Sequence, residues 1–215
     1  MGAERYGFAL ILILASMVFV MATPDGKWSN VISLNLQALA LFASTRAAQP
    51  SMVLRVAVGV IIGIVLFVAW IQAGFTSTVN DDFVRLSTFC LVVIATPVIA
   101  WGLVRQVKER GKITTHTMMG VLCIYLLMSL AFAAAFGAIA AISGEPFFQQ
   151  GAGDGTTNNY LYYSLTTITT VGMGDFSPAT NLGRSLTAAE ALIGQIYVIT
   201  VVAVIVGNLG RTRNG

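Results

Sequence analysis

Thr170-Val171-Gly172-Met173-Gly174-Asp175 sits between a threonine-rich run and a long apolar stretch, and its reading decides that of the whole chain. Glycine at alternating positions is the informative element. Gly172 and Gly174 accept φ > 0 conformations that other residues resist, so successive carbonyls can turn toward one side. Such a row offers oxygen ligands to a partly dehydrated cation without burying full negative charges. The Thr170 hydroxyl adds a ligand at the inner end. Asp175 closes the outer end with an anionic group that concentrates cations.

Upstream, the run Tyr160 to Thr169 suits a short helix, with Asn158 or Asn159 as its N-cap. Its C-terminal end points below the 170–175 stretch, where the macrodipole favours a cation. Gly144 to Asn159 is polar, carries Gly151, Gly153 and Gly155, and reads as a mobile turn. Downstream, Pro178 ends the loop and Gly183-Arg184 opens a last helix.

From about Tyr160 to Gly207 the chain resembles the potassium-channel pore family, whose filter runs Thr-Val-Gly-Tyr-Gly followed by Asp. Met173 stands where that family has Tyr or Phe. The resemblance implies a selectivity filter in which Thr170, Val171, Gly172, Met173 and Gly174 bind K+, with no cofactor besides K+ ions. It implies that Tyr162 and Tyr163 surround the filter and that Asp175 closes its mouth. Thr166 falls where some members carry Glu, and Gly194, ten residues after Arg184, matches an inner-helix hinge. Gln195, Val198, Ile199, Val202 and Val206 then line the cavity and gate. One filter per chain, with no internal repeat, implies a homotetramer. The expected function is passive, potassium-selective conduction, weakly or not voltage gated. A Tyr at position 173 packs and hydrogen-bonds whereas Met only packs, so the alternative is a non-selective cation channel.

Composition agrees with a membrane protein, at 56% hydrophobic and 10% charged residues. Crossing a hydrocarbon core takes about 20 apolar residues. Six segments are expected to cross: Phe8 to Ala22, Val31 to Ala48, Val53 to Phe75, Leu86 to Val104, Met118 to Ile142 and Leu186 to Leu209. The expected architecture is an all-α membrane protein of six transmembrane helices with a re-entrant pore helix and filter between helices 5 and 6. With the filter outside, the inner face holds nine of the twelve Lys and Arg residues, and only Lys27, Arg85 and Arg184 lie outside. That asymmetry supports a multi-pass protein of the plasma (inner) membrane with both termini cytoplasmic. A cleaved signal peptide at residues 1–22 is the alternative, leaving five spans.

Residues 1–108 form an expected four-helix domain at the voltage-sensor position, and 109–215 the pore domain. Gating charges are missing, because the fourth segment has Arg105 and no arginine repeat. The linker Val107-Lys108-Glu109-Arg110 suits a solvated anchor, and the basic residues suit anionic membrane lipids rather than nucleic acid. No regulatory domain is expected after Gly210. Cys90 and Cys123 lie in apolar segments as small hydrophobes, and His116 reads as interfacial. Nothing resembles a nucleophile, phosphate loop or small-molecule site, so an enzyme is not expected.

Glu190 is the outlier, an ionisable residue within an apolar helix. Its expected role is structural, bonding to Thr166, Thr167 or a backbone group behind the filter. The sharper reading is a proton-sensitive gate. Rival functions from other classes are a secondary transporter, which requires paired broken helices and midplane charges, and a non-conducting membrane subunit.

Overall fold

Long runs of Leu, Ile, Val, Ala and Phe without internal proline favour helix, and the first third of the chain folds into three: α1 (Arg5–Ala22), α2 (Lys27–Ala48) and α3 (Met52–Phe75). A computed structural model describes residues 5–24, 26–48, 52–75, 86–87, 89–94, 96–97, 100–102, 105, 115–151 and 155–211. Three further helices follow: α4 (Thr115–Ser143), α5 (Thr157–Ile168) and α6 (Asn181–Arg211). Among the described residues there is no strand, only an isolated antiparallel bridge between Phe148 and Pro178. The fourth expected segment is helical where described, at 86–87, 89–94, 96–97 and 100–102. The linker Val107 to Arg110 lies outside the described residues.

Among the described residues, two helices are long and apolar enough to cross a membrane, Met52–Ile71 and Thr117–Ser143, and Tyr6–Ala22 is a shorter apolar helix. Their outward faces are apolar: Phe8, Ile11 and Val18 on α1 and Val53, Ile64 and Phe67 on α3 are exposed. Such a surface suits lipid rather than water. Three polar side chains of α2 bond back to their own helix. Ser44 donates to the Ala40 carbonyl at 2.7 Å, Thr45 to that of Phe42 at 2.9 Å and Asn35 to that of Val31 at 2.7 Å.

α1 packs on α2 and also on α4 and α5. Asn158 donates to the Met21 carbonyl at 3.0 Å, and the Cys123 thiol lies 3.7 Å from the Tyr6 carbonyl. Gly7 faces Met119 closely enough that a Cβ there would sit 3.3 Å from the sulfur. The first helix therefore rests on the second half of its own chain.

Two local expectations are corrected. The N-cap of the short helix is Thr156 rather than Asn158 or Asn159: its side chain accepts from the Asn159 amide at 3.2 Å, and the helix begins at Thr157. The polar turn from Gly144 to Asn159 contains a packed centre, with Gly153 outside the described residues. Phe147 and Phe148 are buried against Phe136, Tyr160 and Tyr163, and Phe148 also meets Phe176, with ring centroids 4.8 Å apart. Backbone bonds fasten the turn to the loop after Asp175: Gln149 N to Ser177 O at 2.9 Å and Ala179 N to Phe147 O at 2.8 Å. Removing the Phe148 ring should cost about 3–5 kcal/mol. Phe148→Ala is expected to lower the thermal unfolding midpoint of the detergent-solubilised protein well below that of Ile142→Ala, whose side chain is exposed.

Candidate functional site

The last turn of any helix leaves carbonyls without intrahelical donors. At the end of α5 these are met largely by the chain that follows. The Thr170 amide bonds the Thr167 carbonyl at 2.9 Å, and the amides of Val171 and Gly172 both bond that of Thr166, at 2.9 and 3.0 Å. The Tyr125 hydroxyl, from α4, caps the Ile168 carbonyl at 2.9 Å.

With the amides of Thr170, Val171 and Gly172 turned back toward α5, the stretch must present its carbonyls elsewhere. Its dihedrals show how: Thr170, Gly172 and Gly174 have φ of 60°, 53° and 80°, while Val171 and Met173 between them do not share the positive sign. Alternation of left- and right-handed residues puts successive amides on one face and carbonyls on the other. The two glycines were expected to allow this. Thr170 was not, since a β-branched residue rarely takes φ > 0. All of 170–175 is exposed in the single chain, including the side chains of Val171 and Met173.

At the outer end Asp175 lies beside Tyr162 and accepts from the Phe176 amide at 3.1 Å. Tyr163 is buried, and its hydroxyl donates at 3.1 Å to Thr187 of α6. The Thr166 hydroxyl turns back to the Tyr163 carbonyl at 3.0 Å.

α6 lies directly against the end of α5 at Gly194. A Cβ on that glycine would stand 2.5 Å from Ile168 Cγ1 and 2.7 Å from the Ile168 carbonyl oxygen. One turn on, the Tyr197 hydroxyl donates to the Val121 carbonyl at 2.7 Å, and its ring stacks on Tyr125 with centroids 5.8 Å apart. Gln195, Val198 and Ile199 are exposed in the single chain, while the side chains of Val202 and Val206 lie outside the described residues.

Glu190 is fully buried, and its partner differs from the one expected. Neither Thr166 nor Thr167 meets it; Oε1 bonds the Ser164 hydroxyl. Ser164 in turn donates to the Ser129 carbonyl at 2.7 Å and lies 3.0 Å from the Ser129 hydroxyl. One polar cluster thus joins α4, α5 and α6. Tyr125, Ser129, Ser164 and Tyr197 went unnoticed in the sequence, where the only hint was a polar atom within an apolar helix.

Residues 124–210 match the family model described as ion channel. The similarity to ion channels thus lies in the second half of the chain. It is also similar to the protein named "Probable potassium channel protein 2" from Methanocaldococcus jannaschii, at 34% identity over 89 residues, which is 40% of this chain and 22% of that relative's length. No solved structure matches. The matched segment takes in most of α4, all of α5, the 170–175 stretch and nearly all of α6, so it includes every contact described in this subsection except that of Val121.

Because α6 approaches the Ile168 carbonyl this closely, Gly194→Ala forces a backbone separation rather than a side-chain adjustment. A cost of roughly 1–3 kcal/mol is expected, as for overpacked cores. Thermal unfolding should show a clear loss for Gly194→Ala and none for Gly63→Ala, where an added Cβ meets nothing within 4 Å.

Proposed function

We propose that the chain is one subunit of a homotetrameric, potassium-selective channel that conducts passively through the carbonyls of Thr170, Val171, Gly172, Met173 and Gly174. The observation that carries this reading is the alternating sign of φ from Thr170 to Gly174, with the Val171 and Gly172 amides tied back to α5. That backbone presents a ladder of oxygens suited to replacing the hydration shell of K+, which enters as the transported ion. The exposed stretch suits an axis shared with other copies, and α5 aims its C-terminal end toward the same axis. Gln195, Val198, Ile199, Val202 and Val206 line the inner path in this reading, and Gly194 is where α6 bends.

The resemblance to potassium-channel pores and the relative's printed name both favour K+. Six spans with both termini inside remain the topology proposed for the plasma (inner) membrane, with residues 1–108 as a four-helix domain without gating charges and 109–215 as the pore domain. Anionic membrane lipids suit the basic inner face.

A second reading has one specific observation behind it. Met173 is 63% exposed and has no hydroxyl with which to brace the filter from behind. A filter held less firmly discriminates less, which would make the protein a non-selective cation channel.

Purified protein in planar bilayers, with potassium on one side and sodium on the other, separates the two. A reversal potential close to the potassium equilibrium value is expected, and a value near zero with real current supports the second reading. If the missing brace weakens selectivity, Met173→Tyr moves the potential further toward potassium.

A further inference from the structure

Glu190 has no part in the conduction pathway proposed above, yet among the described residues it is the acidic side chain that is completely buried. Its surroundings can be counted hydrogen by hydrogen. Ser164 Oγ is within hydrogen-bond distance of three oxygens: the Ser129 carbonyl, the Ser129 hydroxyl and Glu190 Oε1. A serine hydroxyl has one hydrogen to give. Ser129 can supply a second, across the contact between the two hydroxyls. The third contact lacks a hydrogen unless it comes from Glu190. If Glu190 were ionised, Ser164 would turn its hydrogen to the carboxylate, and its oxygen would face the Ser129 carbonyl at 2.7 Å as acceptor against acceptor.

The second carboxyl oxygen argues the same way. Glu190 Oε2 is buried and has no hydrogen-bond partner. Half a negative charge left without donor or solvent is costly, whereas a neutral acid's carbonyl oxygen left bare is far less so. The burial is complete within one chain, so a neighbouring copy does not reach that oxygen. No compensating cation is present either. The titratable groups facing Glu190 are Tyr125 from α4 and Tyr163 from α5, and among the described residues no Lys, Arg or His does. On its own helix Arg184 is turned to the Pro178 carbonyl at 3.4 Å.

The location matters as much as the proton. Glu190 lies one helical turn before Gly194, where α6 touches the end of α5, and Ser164 lies one turn before Ile168, the residue touched. The carboxyl thus fastens the same two helices whose contact carries the 170–175 stretch. We propose that Glu190 stands as the neutral acid and is the positioning residue that clasps α6 to α5 and α4 through Ser164 and Ser129, so that loss of its proton releases the pore helix and takes the filter out of conduction.

This rests on the channel reading, and the test separates the two. Infrared difference spectra of the full-length protein in lipid should show the band of a protonated carboxyl at neutral pH, absent in Glu190→Gln and shifted in Ser164→Ala. Potassium flux from liposomes should fall roughly tenfold or more as pH rises through the range where that band disappears, because ionisation leaves an uncompensated buried charge. Glu190→Gln, neutral at every pH and able to donate to Ser164, should conduct with a flat profile, and Glu190→Ala should conduct poorly throughout. A missing carboxyl band at neutral pH, or an unaltered pH profile in Glu190→Gln, overturns the inference. Flux absent from every variant while the band is present counts against the channel reading and against the coupling to conduction, and supports the neutral acid.

Discussion

The carbonyls at the end of α5 have no donors within the helix, and the geometry of the 170–175 stretch follows from how they are met. A buried carbonyl left bare costs about 1–3 kcal/mol. Turning Thr170 into the left-handed region costs about 1–2 kcal/mol. That turn lets the next two amides share the Thr166 carbonyl, at 2.9 and 3.0 Å, while the Thr170 amide takes that of Thr167. The balance favours the strained residue. A ladder of outward carbonyls is thus the complement of a satisfied helix end, and neither exists without the other.

The support behind that end is distributed over three helices. Tyr125 caps Ile168 from α4, and Gly194 admits α6 to van der Waals contact with the same residue. Tyr163 reaches Thr187, and Glu190 reaches Ser164, so α5 is tied to α6 at its middle as well as at its C-terminal end. The aromatic group around Phe148 then fixes the loop after Asp175 to the turn before α5. Small displacements of α6 are transmitted to the stretch, because at Gly194 the α6 backbone is packed against both the side chain and the carbonyl of Ile168, with little slack between them.

What could be read from the sequence was local chemistry. The alternating glycines, the acid that follows them and the long apolar run after Arg184 each have one physical interpretation at short range, and the family match covers the same region. What could not be read was pairing at a distance. Ser164, Thr166 and Thr167 all lie within one turn, and only packing decides that Ser164 faces Glu190, 26 residues away, while Thr166 turns back on its own helix. Thr156, Asn158 and Asn159 are all good caps, and the choice depends on where the Asn159 amide comes to lie. Phe147 and Phe148 went unremarked because a polar, glycine-containing turn gives no periodicity by which to recognise a buried pair.

One consequence bears on assembly. Irregular backbone cannot face hydrocarbon, because its amides and carbonyls find no partner there. The interior of this chain is largely satisfied, yet 169–175 stands exposed, next to an α6 whose Gln195, Ile196, Val198 and Ile199 are also exposed. Such backbone is tolerated at membrane depth only where it borders protein or a water-filled space. A single copy offers neither on that side. Meanwhile α1 already covers the back of α4 and α5 within the same chain. The face left open is therefore the one that carries the 170–175 stretch, and it is there that the proposed assembly would bring further copies and a water-lined axis.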